Sequence, residues 1–193
     1  MQVVLASGSP RRLELLRRIG VEPVVSPADV DETPGPGEAP EATVARLAAA
    51  KARAVDAPGD ALVIAADTEV VLEGAVLGKP ADADAAAAML RSLSGRSHRV
   101  VTGVHVRRGS AESAAVEATT VHVRRIGEDE IDAYVATGEP FGKAGAYAIQ
   151  GAGGMFVTGI EGSDSNVIGL PLATVVRLAA EVGVTLLPSL IRP

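Results

Sequence analysis

The residues best suited to chemistry open the chain. Ser7-Gly8-Ser9 is followed by Pro10 and two adjacent arginines, Arg11 and Arg12. A polar turn that leads into a helix start offers unpaired backbone N–H groups at the positive end of the helix dipole, and so forms an anion site. Arginine suits phosphate through its forked donors. Two positive charges in a first helical turn are each unfavourable by roughly 0.3–1 kcal/mol. Either a bound anion offsets them or they are solvated on an ordinary surface helix, and the stretch alone leaves both readings open. No Gly-Lys-Ser/Thr follows at P-loop spacing, and Gly8 lacks the partner glycines of a dinucleotide fingerprint.

Three further groups carry chemistry. Asp67-Thr68 closes the apolar run Leu62–Ala66, and a carboxylate at the carboxyl end of a buried strand is a usual place for a site in an α/β protein. Asp29, Asp31 and Glu32 precede a Pro/Gly-rich loop, Thr33 to Pro40; they read either as solvated loop charges or as a source of a metal carboxylate. The block Gly138 to Gly151 is rich in glycines that permit close backbone approach to a ligand, with Tyr147 and Ile149 as apolar anchors. His98, His105 and His122 lack metal-ligand spacing and read as surface or sheet residues, and no Ser–His pairing suggests a covalent nucleophile.

The elements that must position these groups follow from periodicity and turn chemistry. Val3–Ala6 reads as a buried strand, and Pro10–Ile19 as a helix with Ser9 as N-cap and Pro10 at its first position. Val21–Ser26 reads as a second strand and Glu41–Val55 as a helix, with Lys51 close to its inward stripe, where a lysine ordinarily snorkels to solvent. After Asp67-Thr68 comes a hairpin of Glu69–Leu72 and Ala75–Leu77, closed by Gly78-Lys79-Pro80. A helix capped by Asp82 or Asp84 runs to Leu93. Val100–Val106 and Ala115–Ile126 form an antiparallel pair with one wet face. Glu128–Thr137 is helical, Met155–Ile160 a strand, Gly162–Asn166 a turn, and Pro171 opens a last helix to Val182.

Composition bounds the function. At 193 residues, 47% of them hydrophobic, the chain is expected to be one domain, or one domain with two lobes, spanning 1–193. No run approaches a membrane span and no secretory signal is apparent. The absence of cysteine excludes disulfides and thiolate chemistry and fits a cytoplasmic protein. A net charge of −6, with two Phe, two Tyr and no Trp, argues against nucleic acid as a partner. Any phosphate recognition must then be a local cluster in an acidic chain.

Several blocks, in order, resemble the Maf family of nucleoside triphosphate pyrophosphatases. They are Leu5-Ala6-Ser7-Gly8-Ser9-Pro10-Arg11-Arg12, Asp31-Glu32, Arg46-Leu47-Ala48 through Lys51-Ala52, Ala66-Asp67-Thr68 through Leu77-Gly78-Lys79-Pro80, and Leu93-Ser94-Gly95-Arg96 through Val104. Gly138-Glu139-Pro140 through Gln150-Gly151 and Gly162-Ser163 through Leu172 complete the match, which runs from about Val3 to Val182. Three positions depart: Glu69 replaces an apolar residue, Gly142 an Asp, and Ala148 a Gly.

The resemblance implies an α/β fold, a mixed twisted sheet with flanking helices and two lobes around a central cleft, similar to inosine triphosphate pyrophosphatases. It implies cleavage of a nucleoside triphosphate at the α-phosphate to monophosphate and pyrophosphate. A divalent cation, Mg²⁺ or Mn²⁺, is implied on Glu32 and Asp67, with Asp67 also the proton acceptor for the attacking water. Lys51 and Lys79 join Asp67 as catalytic, and Ser7, Arg11, Arg12, Thr68, Lys143 and Gln150 bind substrate. Only one of two consecutive helical arginines can lie directly on the phosphates, and the family match favours Arg12. The match of Arg12, Thr68 and Gln150 is to the branch acting on dTTP and UTP; the Gln150 amide, both donor and acceptor, complements the imide edge of uracil or thymine. Two alternatives stand beside this: a nucleotide-binding regulator of septum formation and division with little catalysis, and a pyrophosphatase for modified nucleotides such as 7-methyl-GTP. The family suggests a homodimer.

Overall fold

The computed structural model describes residues 1–186. The elements in chain order are β1 (Val3–Leu5), α1 (Pro10–Arg18), β2 (Val24–Val25), α2 (Pro40–Ala54), β3 (Leu62–Leu72), β4 (Ala75–Leu77) and α3 (Ala83–Leu93). Then come β5 (Ser97–Arg108), β6 (Ala111–Val123), α4 (Glu128–Ala136), β7 (Val157–Glu161), α5 (Asp164–Ile168) and α6 (Leu172–Glu181). The strands form one seven-stranded mixed sheet in the order β2-β1-β3-β5-β6-β7, with β4 paired to β3. This is the mixed α/β architecture expected from the sequence. Among the described residues no helix is long and apolar enough to cross a membrane.

The chain divides into two compact units. The first comprises Met1–Asp67, Thr102–Glu117 and the described residues from Gly169; the second comprises Thr68–Val101 and Ala118–Ile168. In the first, β1 pairs in parallel with both β2 and β3, Val4 opposite Val24 and Val63. Its core holds Leu5, Leu16, Leu62, Ile64 and Leu178, with a cluster of small side chains that includes Val4, Ala6, Ala52, Val63 and Ala65. Small residues let the backbones approach closely. A Cβ at Gly103 of β5 would lie 2.3 Å from the Val44 carbonyl oxygen of α2, so only glycine fits there.

In the second unit β3 and β4 form an antiparallel hairpin, Val71 opposite Val76. The turn residue Glu73 has φ 50 and Gly74 φ 86, the pair of positive angles that a tight hairpin turn demands. β6 and β7 pair antiparallel, with an irregularity between His122 and Val123. The core of this unit is built on Leu90, Leu93, Ile131, Tyr134 and Phe156. Tyr134 and Phe156 meet edge to face at 5.1 Å between ring centroids, a favoured aromatic geometry.

Several expectations change in detail. β3 does not stop at Asp67 but continues to Leu72, with only Asp67, Thr68 and Glu69 half-buried along its length. A carboxylate can sit inside a strand here because a lysine meets it, as described below. The strand expected over Val21–Ser26 shrinks to the two exposed residues of β2. Asp82, not Asp84, caps α3, accepting from the Ala85 N–H at 2.8 Å. Ser9 occupies the N-cap position of α1 but makes no side-chain cap; instead its N–H donates to Ser7 Oγ at 3.3 Å. Ala152–Phe156 is a 3₁₀ turn, so β7 starts later than expected, and the turn after it contains α5. His98 and His105 are buried sheet residues of β5. β6 keeps its wet face, with Val116 exposed and Thr120 and His122 half-buried.

Candidate functional site

In the first unit, α1, α2, β3 and the loop after β2 bring their charges together. Lys51 faces inward from α2 and is only 8% exposed. A buried ammonium requires a partner, and this one has two. Lys51 Nζ donates to Asp67 Oδ1 at 2.6 Å and lies 2.5 Å from Glu32 Oε1. The Asp67 side chain is largely buried, whereas that of Glu32 is more than half exposed. The snorkelling that is ordinary for a helical lysine does not occur, because the largely buried Asp67 carboxylate holds the ammonium inside.

Arg12 joins this group from the first turn of α1. Its Nε donates to the Gly169 carbonyl at 2.8 Å, and its Nη1 to Ser7 Oγ at 3.0 Å. Burial lowers the Arg12 guanidinium to about 10; the field of Asp67 raises it, that of Arg11 lowers it further, and that of Glu32 raises it. The group remains charged at neutral pH. Burial also lowers Arg11. Ser7, Arg12, Glu32, Lys51 and Asp67 therefore form one polar cluster, with Arg11 beside it on α1. Gly169 was not singled out by its sequence, since a backbone acceptor leaves no side-chain signal.

Glu32 and Asp67 meet on a single cation, so they offer two hard oxygen donors at one point. Among the described residues no group of three or more His, Asp or Glu side chains is placed to hold a metal. Two carboxylates do not make an all-protein cage. They do suit Mg²⁺, which usually binds through one or two carboxylates plus waters and substrate phosphates.

The second unit holds the remaining expected residues. Thr68 follows Asp67 along β3 and is half-buried. Lys79 is exposed just beyond β4. The carbonyl of its neighbour Gly78 accepts from the Gly145 N–H at 3.1 Å, which ties the Lys79 turn to the Gly138–Gly151 block. Gly145 has φ 72, and a Cβ there would lie 3.0 Å from a Val70 methyl, so the position requires glycine. Lys143 Nζ donates to the Glu139 carbonyl and, at 3.5 Å, to that of Phe141. Gly142, where the resembling family carries Asp, also has φ 72. Gln150 is exposed, while Tyr147 behind it is buried and shares a 2.8 Å hydrogen bond with His98 Nε2.

Nothing in the sequence distinguishes Glu139 within the Gly138–Gly151 block. Its carboxylate takes the Tyr134 hydroxyl and the Ala152 and Gly153 N–H groups. Asn166 is fully buried and donates to the Val100 carbonyl and to Thr119 Oγ1, so it orders this unit's interior.

The chain matches the model of the family described as Maf-like protein over residues 2–182. A protein of Anaeromyxobacter dehalogenans named dTTP/UTP pyrophosphatase is 57% identical over 186 residues, 94% of each chain. A second, from another Anaeromyxobacter species and bearing the same name, is 55% identical over 94% of this chain and 90% of its own. Among solved structures, a HAM1 protein from Coxiella burnetii gives a TM-score of 0.46 at 18% identity, over 78% of this chain and 88% of that one.

Proposed function

From the premise that this chain belongs to the Maf family, we propose that it hydrolyses nucleoside triphosphates, preferring dTTP and UTP, to the monophosphate and pyrophosphate. The observation that carries the mechanism is the buried Lys51 held between Asp67 and Glu32, beside Arg12.

The reaction is attack of water on the α-phosphorus. A bond forms between the water oxygen and Pα, the Pα–O bond to the β-phosphate breaks, and pyrophosphate leaves with that oxygen. Asp67 accepts the water proton. Lys51 fixes the orientation of the Asp67 carboxylate through the 2.6 Å bond and keeps positive charge next to the reacting phosphate. Gly169 and Ser7 fix the orientation of the Arg12 fork, whose planar donors suit phosphate oxygens. Lys79 and Lys143 supply further positive charge for the triphosphate. Glu32 and Asp67 would hold Mg²⁺ or Mn²⁺, which when bound offsets phosphate charge. Gln150 reads the base by donating to and accepting from its imide edge.

The name shared by two relatives above 50% identity over nearly the whole chain supports the substrate preference. The test is a panel of dTTP, UTP, dCTP, dGTP, ITP and 7-methyl-GTP with Mg²⁺ or Mn²⁺, products separated by chromatography. Monophosphate and pyrophosphate from dTTP and UTP are expected. Diphosphate and phosphate would move the attack to the γ-phosphorus and overturn the mechanism. Tight binding without turnover would make the protein a nucleotide-binding regulator.

A further inference from the structure

The geometry points to Glu139 as the positioning residue for base recognition, holding the backbone around Gln150 while its own carbonyl takes Lys143. This rests on the reading of Gln150 as the residue that selects the base.

Glu139 Oε1 accepts from the Tyr134 hydroxyl at 2.7 Å and from the Gly153 N–H at 2.9 Å. Its Oε2 accepts from the Ala152 N–H at 3.1 Å. The Tyr134 hydroxyl oxygen in turn accepts from the Ala148 N–H at 3.1 Å. One carboxylate and one hydroxyl thus pin amides on both sides of Gln150. The approach is close. A Cβ at Gly151 would lie 2.3 Å from Glu139 Oε2, and one at Gly153 would lie 2.6 Å from the Tyr134 hydroxyl. At Gly153 a Cβ would also lie 2.9 Å from the Ala148 backbone nitrogen, so close backbone approach excludes a side chain there, while at Gly151 the tether alone stands in the way. The Glu139 main-chain oxygen accepts the Lys143 ammonium, so the same residue couples a phosphate-binding lysine to the base-reading segment.

Burial works against the Glu139 charge. The Gly153 N–H, the Tyr134 hydroxyl and the Ala152 N–H outweigh it and hold the carboxyl below its usual range. Hydrogen bonds to an ionised acceptor are roughly twice as strong as neutral ones. Gln150 is exposed, and an exposed amide selects a base only if its backbone is fixed beforehand, since ordering it on binding would cost affinity.

The test uses the full chain with Glu139→Gln, and Tyr134→Phe as a second variant should the first fail to fold. Loss of the charged acceptor is expected to raise amide exchange at Ala152 and Gly153 by about tenfold, the scale of one charge-assisted hydrogen bond. The KM for dTTP should rise about tenfold and the preference for dTTP over dCTP should fall, while kcat stays within about threefold, because ground-state positioning is what is lost. Unchanged exchange at both amides overturns the role of Glu139 and leaves the activity standing. An equal loss of kcat for every nucleotide with unchanged KM also overturns it, since that marks general damage. Gln150→Ala is measured alongside. If it leaves selectivity intact, the base-reading role fails and the positioning role falls with it, whatever the exchange shows.

Discussion

Asp67 and Lys51 form a pair whose halves cannot be exchanged. Asp67→Asn keeps the shape and a weaker acceptor for Lys51, while Glu32 still faces the ammonium. The fold is therefore expected to survive, with turnover of dTTP falling by at least ~10²-fold, the scale of general-base loss. Steady-state kinetics beside a thermal melt check this; near-full activity would assign the proton to another group. Arg12→Lys keeps the charge but removes the fork. A single ammonium cannot serve the Gly169 carbonyl, Ser7 Oγ and a phosphate with the same planar geometry. A fall in kcat/KM of roughly tenfold or more is expected, carried mainly by KM. Arg11→Lys, one position earlier and outside both of those hydrogen bonds, should cost less. Equal effects at the two positions would mean that the fork of Arg12 is not what meets the substrate.

At the scale of elements, α2 is pressed against β5 at a point where no side chain fits. Gly103→Ala would drive a Cβ to 2.3 Å from the Val44 carbonyl, and backbone cannot yield as a flexible side chain does. A loss of about 1–3 kcal/mol is expected, as for overpacked cores, and urea unfolding reads it. That contact was invisible in the sequence, since Gly103 is one more residue of an apolar strand. What was legible is local. The strand-turn-helix of β1 and α1, the amphipathic α2 and α3, and the acidic start of α4 each carry their signal within a few residues. The continuity of β3 was not legible. An aspartate in an apolar run reads as the end of a strand, and the lysine that lets the strand continue comes from α2, earlier in the chain. The cluster itself followed the same division. Residue types and the resemblance to the Maf family nominated Ser7, Arg12, Glu32, Lys51 and Asp67; the sequence put Lys51 close to the inward stripe of α2, and only the packing shows it held by two carboxylates. Gly169 and Glu139 escaped because one acts through its carbonyl and the other through acceptors that meet amides after a turn.

For the molecule as a whole, charge has to be handled twice: a chain of net charge −6 must bind a polyanion, and it must stay folded as its histidines and carboxylates titrate. On the proposed mechanism the first is met locally, by cations held on backbone oxygens and carboxylates. The second sets a pH dependence with a definite sign. His98 is buried and bonded to Tyr147, and burial, helped by the field of His122, lowers it from 6.5 to about 4. His105 is lowered as well, by burial first and against the pull of Glu112. For a histidine held neutral in the fold, the unfolded chain binds the proton more readily. Stability is therefore fully present above about 6.5 and falls as the pH drops through 6.5 towards 4. For His98 the full loss is of order 3 kcal/mol across that interval. Below it Glu130, held at about 2 chiefly by Arg124, extends the decline as its carboxyl protonates between 4.5 and 2. Urea unfolding at pH 7.5, 6, 5 and 4 should thus show a falling midpoint at constant slope, with proton uptake on unfolding between pH 4 and 6.5. His98→Gln removes the titrating ring and should flatten the 6.5-to-4 part of the curve. An equally steep curve in that variant would place the acid sensitivity elsewhere.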